Sequence, residues 1–130
     1  MDFETLSDRQ EQIASQIVDC AYTVHSNLGP GLLESIYEVC FCHELEKKGL
    51  SYQKQVTVPI KYDGIIFHEA FRLDVLVENI IICELKAAEN SIGLWQAQLL
   101  TYLKLTGKRL GFIINFNVPV VKNGIKRMIL

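Results

Sequence analysis

Apolar residues recur at helical intervals through the first fifty positions, then in strand-like runs, and that change of period divides the chain. Ser7-Asp8-Arg9-Gln10 has the spacing of a capping box, and Ile13, Ile17, Ala21, Val24 and Leu28 follow three or four apart until Gly29-Pro30. This predicts a first helix. After Gly29-Pro30-Gly31, the positions Leu33, Ile36, Tyr37, Cys40, Phe41 and Leu45 keep the spacing up to Gly49 and predict a second, with Glu46-Lys47-Lys48 exposed. Tyr52 to Tyr62 reads as a strand in which Pro59 marks an edge or a break, and Asp63-Gly64 is a turn before Ile65-Ile66-Phe67. Two β-branched runs, 70–78 and 80–87, predict an antiparallel pair. Asn90-Ser91 offers a cap to a third helix over 91–106, striped by Leu94, Trp95, Leu99, Tyr102 and Leu103 and closed by Gly107. That helix crosses to a buried strand at 110–116 on the same sheet. In the tail, Asn123-Gly124 is the strongest short hairpin signal, set between 120–122 and a closing strand that runs to Leu130.

The expected class is therefore α/β. With 130 residues, 49% of them hydrophobic, the chain is sized for one domain with an ordinary core and leaves no room for a second. No basic-then-apolar leader pattern and no membrane-length apolar run is visible, so a cytoplasmic protein without a membrane partner is expected. Cys20, Cys40, Cys42 and Cys83 lack C-x-x-C spacing, and adjacent helix residues such as Cys42-His43 project apart, so reduced core thiols are expected rather than zinc. A net charge of −2 argues against a broad basic surface for duplex nucleic acid.

Charge placement narrows the picture further. Asp74 lies in one apolar strand and Glu84-Leu85-Lys86 in the next, positions where a buried strand normally excludes acids. Side chains alternate along a strand, so Glu84 and Lys86 share a face. Asp74 joins them only if the connection is a three-residue loop or carries a bulge; a two-residue turn at Glu78-Asn79 would set it opposite Cys83. Two converging carboxylates suit a hard divalent cation, and an ammonium beside them can hold a water. A solvated surface hairpin is the plainer explanation of the same charges. Gln98 and Tyr102, four apart on the third helix, share a face and can reach a phosphate or orient Lys86, or else are surface and core-rim residues. Glu34 begins the second helix, where the helix dipole alone favours an acid, or it is a third carboxylate at the metal.

Several of these residues fall into an ordered set of motifs. Gly31-Leu32-Leu33-Glu34-Ser35-Ile36-Tyr37 matches G-x-x-E-x-x-Y. Arg72-Leu73-Asp74, Glu84-Leu85-Lys86-Ala87, Gln98-Leu99-Leu100-Thr101-Tyr102-Leu103-Lys104 and Asn115-Phe116-Asn117-Val118 follow in sequence. From about Ile13 to Leu130 the chain resembles the GxxExxY proteins, a family similar to the PD-(D/E)xK nucleases with their restriction-endonuclease-like mixed sheet flanked by helices. The resemblance implies that Asp74 and Glu84 bind metal, that Lys86 is the catalytic lysine, that Glu34 is an additional acid at the metal, and that Gln98 and Tyr102 support them. It implies Mg²⁺ or Mn²⁺ as cofactor and nucleic acid, DNA in the first instance, as partner. The chain departs from the pattern at Trp95-Gln96, where relatives commonly carry a histidine, and at Leu73, which replaces the proline of the superfamily name.

The acidic balance points to ends, flaps or single strands gripped over a few phosphates by Lys104, Lys108, Arg109, Lys122, Lys126 and Arg127. Crowded carboxylates repel, so at least one is expected to titrate high without metal. A nucleic-acid-binding or protein-interaction module with a weak or silent site is the alternative on the same fold. DNA versus RNA, exo- versus endonuclease action and oligomeric state stay open.

Overall fold

A computed structural model describes residues 5–89 and 91–130. The elements run α1 (Asp8–Leu28), α2 (Glu34–Lys47), β1 (Tyr52–Tyr62), β2 (Ile65–Val77), β3 (Ile81–Lys86), α3 (Ile92–Thr106), β4 (Leu110–Asn115), a 3₁₀ turn (Val121–Gly124) and β5 (Ile125–Ile129). The five strands lie in chain order; only the β3–β4 pair, linked by α3, is parallel. One apolar layer joins α1 and α2 to the sheet through Ile17, Ala21, Phe41, Val75, Cys83 and Phe112. On the other face Leu99 and Leu103 of α3 pack on Leu73, Leu76, Ile82 and Ile113.

The capping box forms as expected. Gln10 N–H donates to Ser7 Oγ at 3.0 Å, and Ser7 N–H donates to Gln10 Oε1 at 2.7 Å, so two otherwise orphaned amides are satisfied at the start of α1. The second helix departs from its expected face. Its buried stripe is Tyr37, Phe41, Cys42 and Leu45, whereas Leu33 is 73% exposed and Ile36 is also at the surface. Ile36 stands about 100° round the helix from Tyr37, and the four-residue stripe decides which side packs. Asn90, half of the expected cap of α3, lies outside the described residues, and Ser91 makes no side-chain capping bond.

Strand β2 is one run of thirteen residues, where 65–67 and 70–78 had read as separate pieces. The register of β1 against it shifts between Val58 and Ile60, at Pro59 on the sheet edge, where the missing N–H costs no ladder bond. A second irregularity reverses both strands together. Val75 and Val77 pack in the α1/α2 layer but Leu73 packs under α3; on β1, Tyr52 belongs to the first layer, and Val56 and Val58 to the second. The reversal falls at Gln55, with φ 52°, and at Asp74, which faces it between the paired positions Lys54↔Val75 and Val56↔Leu73.

The tail corrects another expectation. Asn123-Gly124 does not turn a tight hairpin; it ends the 3₁₀ turn, and β5 pairs antiparallel with β4 across a longer loop. Packing explains the glycine. A Cβ on Gly124 would lie 2.0 Å from the Asn115 carbonyl oxygen. Gly124→Ala should therefore cost about 1–3 kcal/mol, measured as a lowered urea midpoint. The four cysteines are free, and burial pushes the Cys20 and Cys42 thiols up to about 11 and about 12. Among the described residues no helix is long and apolar enough to cross a membrane.

Candidate active site

The β2–β3 connection is a three-residue loop. Glu78 and Asn79 take φ of 53° and 56°, Ile80 N–H donates to Val77 O, and Val77 pairs with Ile81. Continuing that register brings Asp74 opposite Glu84. The recorded ladder stops one pair earlier, at Val75↔Cys83, and the carboxylates take over from the backbone. Asp74 N–H donates to Glu84 Oε2 at 3.0 Å, and Leu85 N–H donates to Asp74 Oδ2 at 2.9 Å. Each acid thus satisfies an amide of the opposite strand, and the two are held side by side.

Burial makes this pair electrostatically uneasy. Glu84 is 4% exposed, and its carboxyl is pushed up to about 8, first by burial and second by the charge of Asp74; the Asp74 amide and Lys86 pull the other way. Asp74 is also raised, again by burial, against the Leu85 amide and Lys86. A high-titrating carboxylate was expected from mutual repulsion; desolvation comes first and repulsion second.

Glu34 is exposed at the start of α2, yet its carboxyl is raised by partial desolvation and by Asp74, with Lys86 opposing. It acts on the pair through its charge from the rim. One turn on, Glu38 is a further acid in the field of Asp74 and Glu34, fixed by a 2.8 Å bond from Gln55 Nε2. Sequence reading missed it, although its i+4 spacing from Glu34 placed it on the same helix face. Among the described residues no three His, Cys, Asp or Glu side chains gather closely enough to hold a metal ion, so Asp74 and Glu84 are the pair that the fold itself assembles.

Tyr37, the last residue of the G-x-x-E-x-x-Y run, is a positioning residue. Its hydroxyl donates to Gly29 O at 2.6 Å and accepts from Leu32 N–H at 3.1 Å, and its ring stacks on Phe116 with centroids 4.5 Å apart. The loop before α2 is thereby tied to the end of β4, and Glu34 is set at the rim. Tyr37→Phe removes both bonds and should cost about 1–3 kcal/mol, seen as a lower melting temperature.

Lys86 is half-buried, with Nζ 5.7 Å from the centroid of the Trp95 ring, a cation–π contact. Trp95 had read as part of the apolar stripe; its place in the position of a common histidine was the available signal. Tyr102 stacks on Phe71 at 4.3 Å and is hydrogen-bonded by Gln98. Burial and the charges of Glu84 and Asp74 raise its hydroxyl, so Gln98 and Tyr102 belong to the same neighbourhood as the acids. Asn115, in register with Lys86, is buried: Nδ2 donates to Ala88 O at 3.1 Å, and Oδ1 accepts from Asn117 N–H at 3.1 Å.

The basic residues divide. Lys108 donates to Asn79 O, Arg109 to Leu130 O and Thr5 O, and Arg127 pairs with Glu11 at 2.7 Å. Lys108 and Arg109 also stand at the Ile81–Leu110 end of the parallel pair, away from Lys86 and Asn115. These three are engaged by other groups of the protein, whereas Lys104, Lys122 and Lys126 are exposed.

A five-stranded mixed sheet with helices on both faces, opening at an Asp–Glu pair with a lysine one strand step beyond, has the restriction-endonuclease-like architecture. The family model of the PD-(D/E)XK nuclease superfamily matches residues 11–128, and the chain belongs to that superfamily. The chain is also similar to a solved structure, the crystal structure of SSO0001, at 20% identity and a TM-score of 0.49; the alignment covers 92% of this chain and spans 59% of the other. No curated protein matches it.

Proposed function

We propose that the protein is a Mg²⁺- or Mn²⁺-dependent nuclease of the GxxExxY kind, which hydrolyses phosphodiester bonds of DNA at ends, flaps or single strands in the cytoplasm. The observation that carries this reading is the pair of half-buried Asp74 and buried Glu84, cross-bonded at the point where the strands part and faced by Lys86. Its hard carboxylate oxygens and its reluctance to ionise alone fit a divalent cation that keeps several waters and needs few protein ligands. When bound, such an ion supplies positive charge to the scissile phosphate and acidity to a water.

Asp74 and Glu84 would hold the ion, with Glu34 at the rim placed to contribute through a water. Lys86, steadied by the Trp95 ring, orients the attacking water and neutralises charge developing on the phosphate. Tyr102 and Gln98 hydrogen-bond a phosphate oxygen beside the scissile one.

A digestion panel of linear, circular, single-stranded and flap DNA with Mn²⁺, run beside Lys86→Ala, tests the reading. Cleavage of open or single-stranded substrates that EDTA abolishes and the variant strongly lowers is expected. No cleavage of any substrate would leave the silent-module alternative. For Glu34→Gln the expected result is Mn²⁺ affinity weaker by about tenfold, and an unchanged calorimetric titration would remove Glu34 from the site.

A further inference from the structure

Beside Lys86 the fold encloses a pocket of about 210 Å³ that the phosphodiester chemistry leaves unused. One wall is Trp95, the indole that faces Lys86 Nζ; the others include Asn115, Asn117, Asn123 and Lys126. We propose that this pocket receives an unpaired nucleobase next to the scissile phosphate. This rests on the nuclease reading and specifies its substrate as single-stranded at the point of cleavage.

The lining suits a base better than a second phosphate. An aromatic face accepts any base by stacking, and side-chain amides offer a donor and an acceptor each, matching the mixed polar edge of a base. Asn115 is already occupied by Ala88 and Asn117 backbone groups, so it shapes the floor. The side chains of Asn117 and Asn123 make no hydrogen bond among the described residues and stand at the pocket wall. Close packing of Gly124 on the Asn115 carbonyl fixes the turn that presents Asn123. Lys126, on β5, supplies one positive charge for the adjoining phosphate.

A duplex cannot use this site without releasing a base from its stack. The pocket therefore selects frayed ends, flaps or single strands.

Trp95 is the sole tryptophan of the chain, so its fluorescence reports the pocket directly. In EDTA, where no hydrolysis is needed, titration of the intact protein with a short oligothymidylate should quench it saturably. Asn117→Ala and Asn123→Ala should each weaken the apparent affinity by about fivefold, and the blunt duplex or an oligonucleotide abasic throughout should quench little. Equal quenching by the abasic chain, or none by any strand, would overturn the base pocket. The two proposals fail separately: base-dependent quenching without Mn²⁺-dependent cleavage refutes the nuclease reading, and cleavage without quenching refutes the base pocket.

Discussion

Millimolar Mg²⁺ or Mn²⁺ should raise the melting temperature of the protein at pH 8 and barely change it at pH 5. Glu84 titrates at about 8 in the folded protein against an ordinary 4.5. Between those values the unfolded chain has released this proton and the folded one retains it. In the absence of metal, the stability owed to Glu84 is fully present below pH 4.5 and declines by about 1.4 kcal/mol per pH unit until about pH 8. The raised Asp74 and Glu34 act in the same direction. A cation displaces the proton, so its stabilisation is strongest where the acids are ionised. At a metal concentration a hundred times the dissociation constant the gain is about 2.7 kcal/mol, or roughly 10 °C for a chain of this size. Glu84→Gln should abolish the metal response and flatten the metal-free pH profile, which makes the variant more stable than the parent at pH 8. Scanning fluorimetry over metal, pH and variant measures all three effects. A flat metal response of the parent would leave only the silent-module reading.

Lys86→Ala should lower metal-dependent cleavage by about a hundred- to a thousandfold while keeping the metal-dependent rise in melting temperature. The two readouts separate because Lys86 faces the acids without bonding either in place, whereas the Glu84 and Asp74 carboxylates hold each other's strands. Lys86 also pulls the Glu84 carboxyl down, so its removal should carry the metal-free loss of stability to higher pH. Cleavage assays and pH-dependent melting on one protein preparation check both halves. A variant that cleaves at the parental rate would show that Lys86 takes no part in the chemistry.

Much of this site was legible because strands alternate and buried acids are costly. Asp74 and Glu84 stood out against Val75-Leu76-Val77 and Ile80-Ile81-Ile82, and requiring them to meet called for a three-residue loop or a bulge, of which the loop is found at 78–80. Other features depend on contacts between distant parts of the chain. No local signal marks Gln55 as a change of face, and only its pairing position opposite Asp74 makes a joint reversal of the two strands possible. Asn123-Gly124 carried a strong local turn signal, but the approach of Gly124 to Asn115 prevailed. Leu33 and Ile36 kept helical spacing and still face solvent, because periodicity ranks possible faces without saying which one a neighbour covers.

The paired reversal at Gln55 and Asp74 works like a crank in the hairpin. Deleting residue 55 alone would let ordinary alternation keep Val56 and Val58 toward α3, but would leave β1 one residue short against the offset that β2 keeps and slip the pairing of its outer half. Deleting 55 and 74 together would restore a regular ribbon with its apolar side correctly placed, and would remove the acid. Insertions and deletions in this arm are therefore tolerable only in matched pairs, and a smoother sheet at this spot is incompatible with keeping its aspartate.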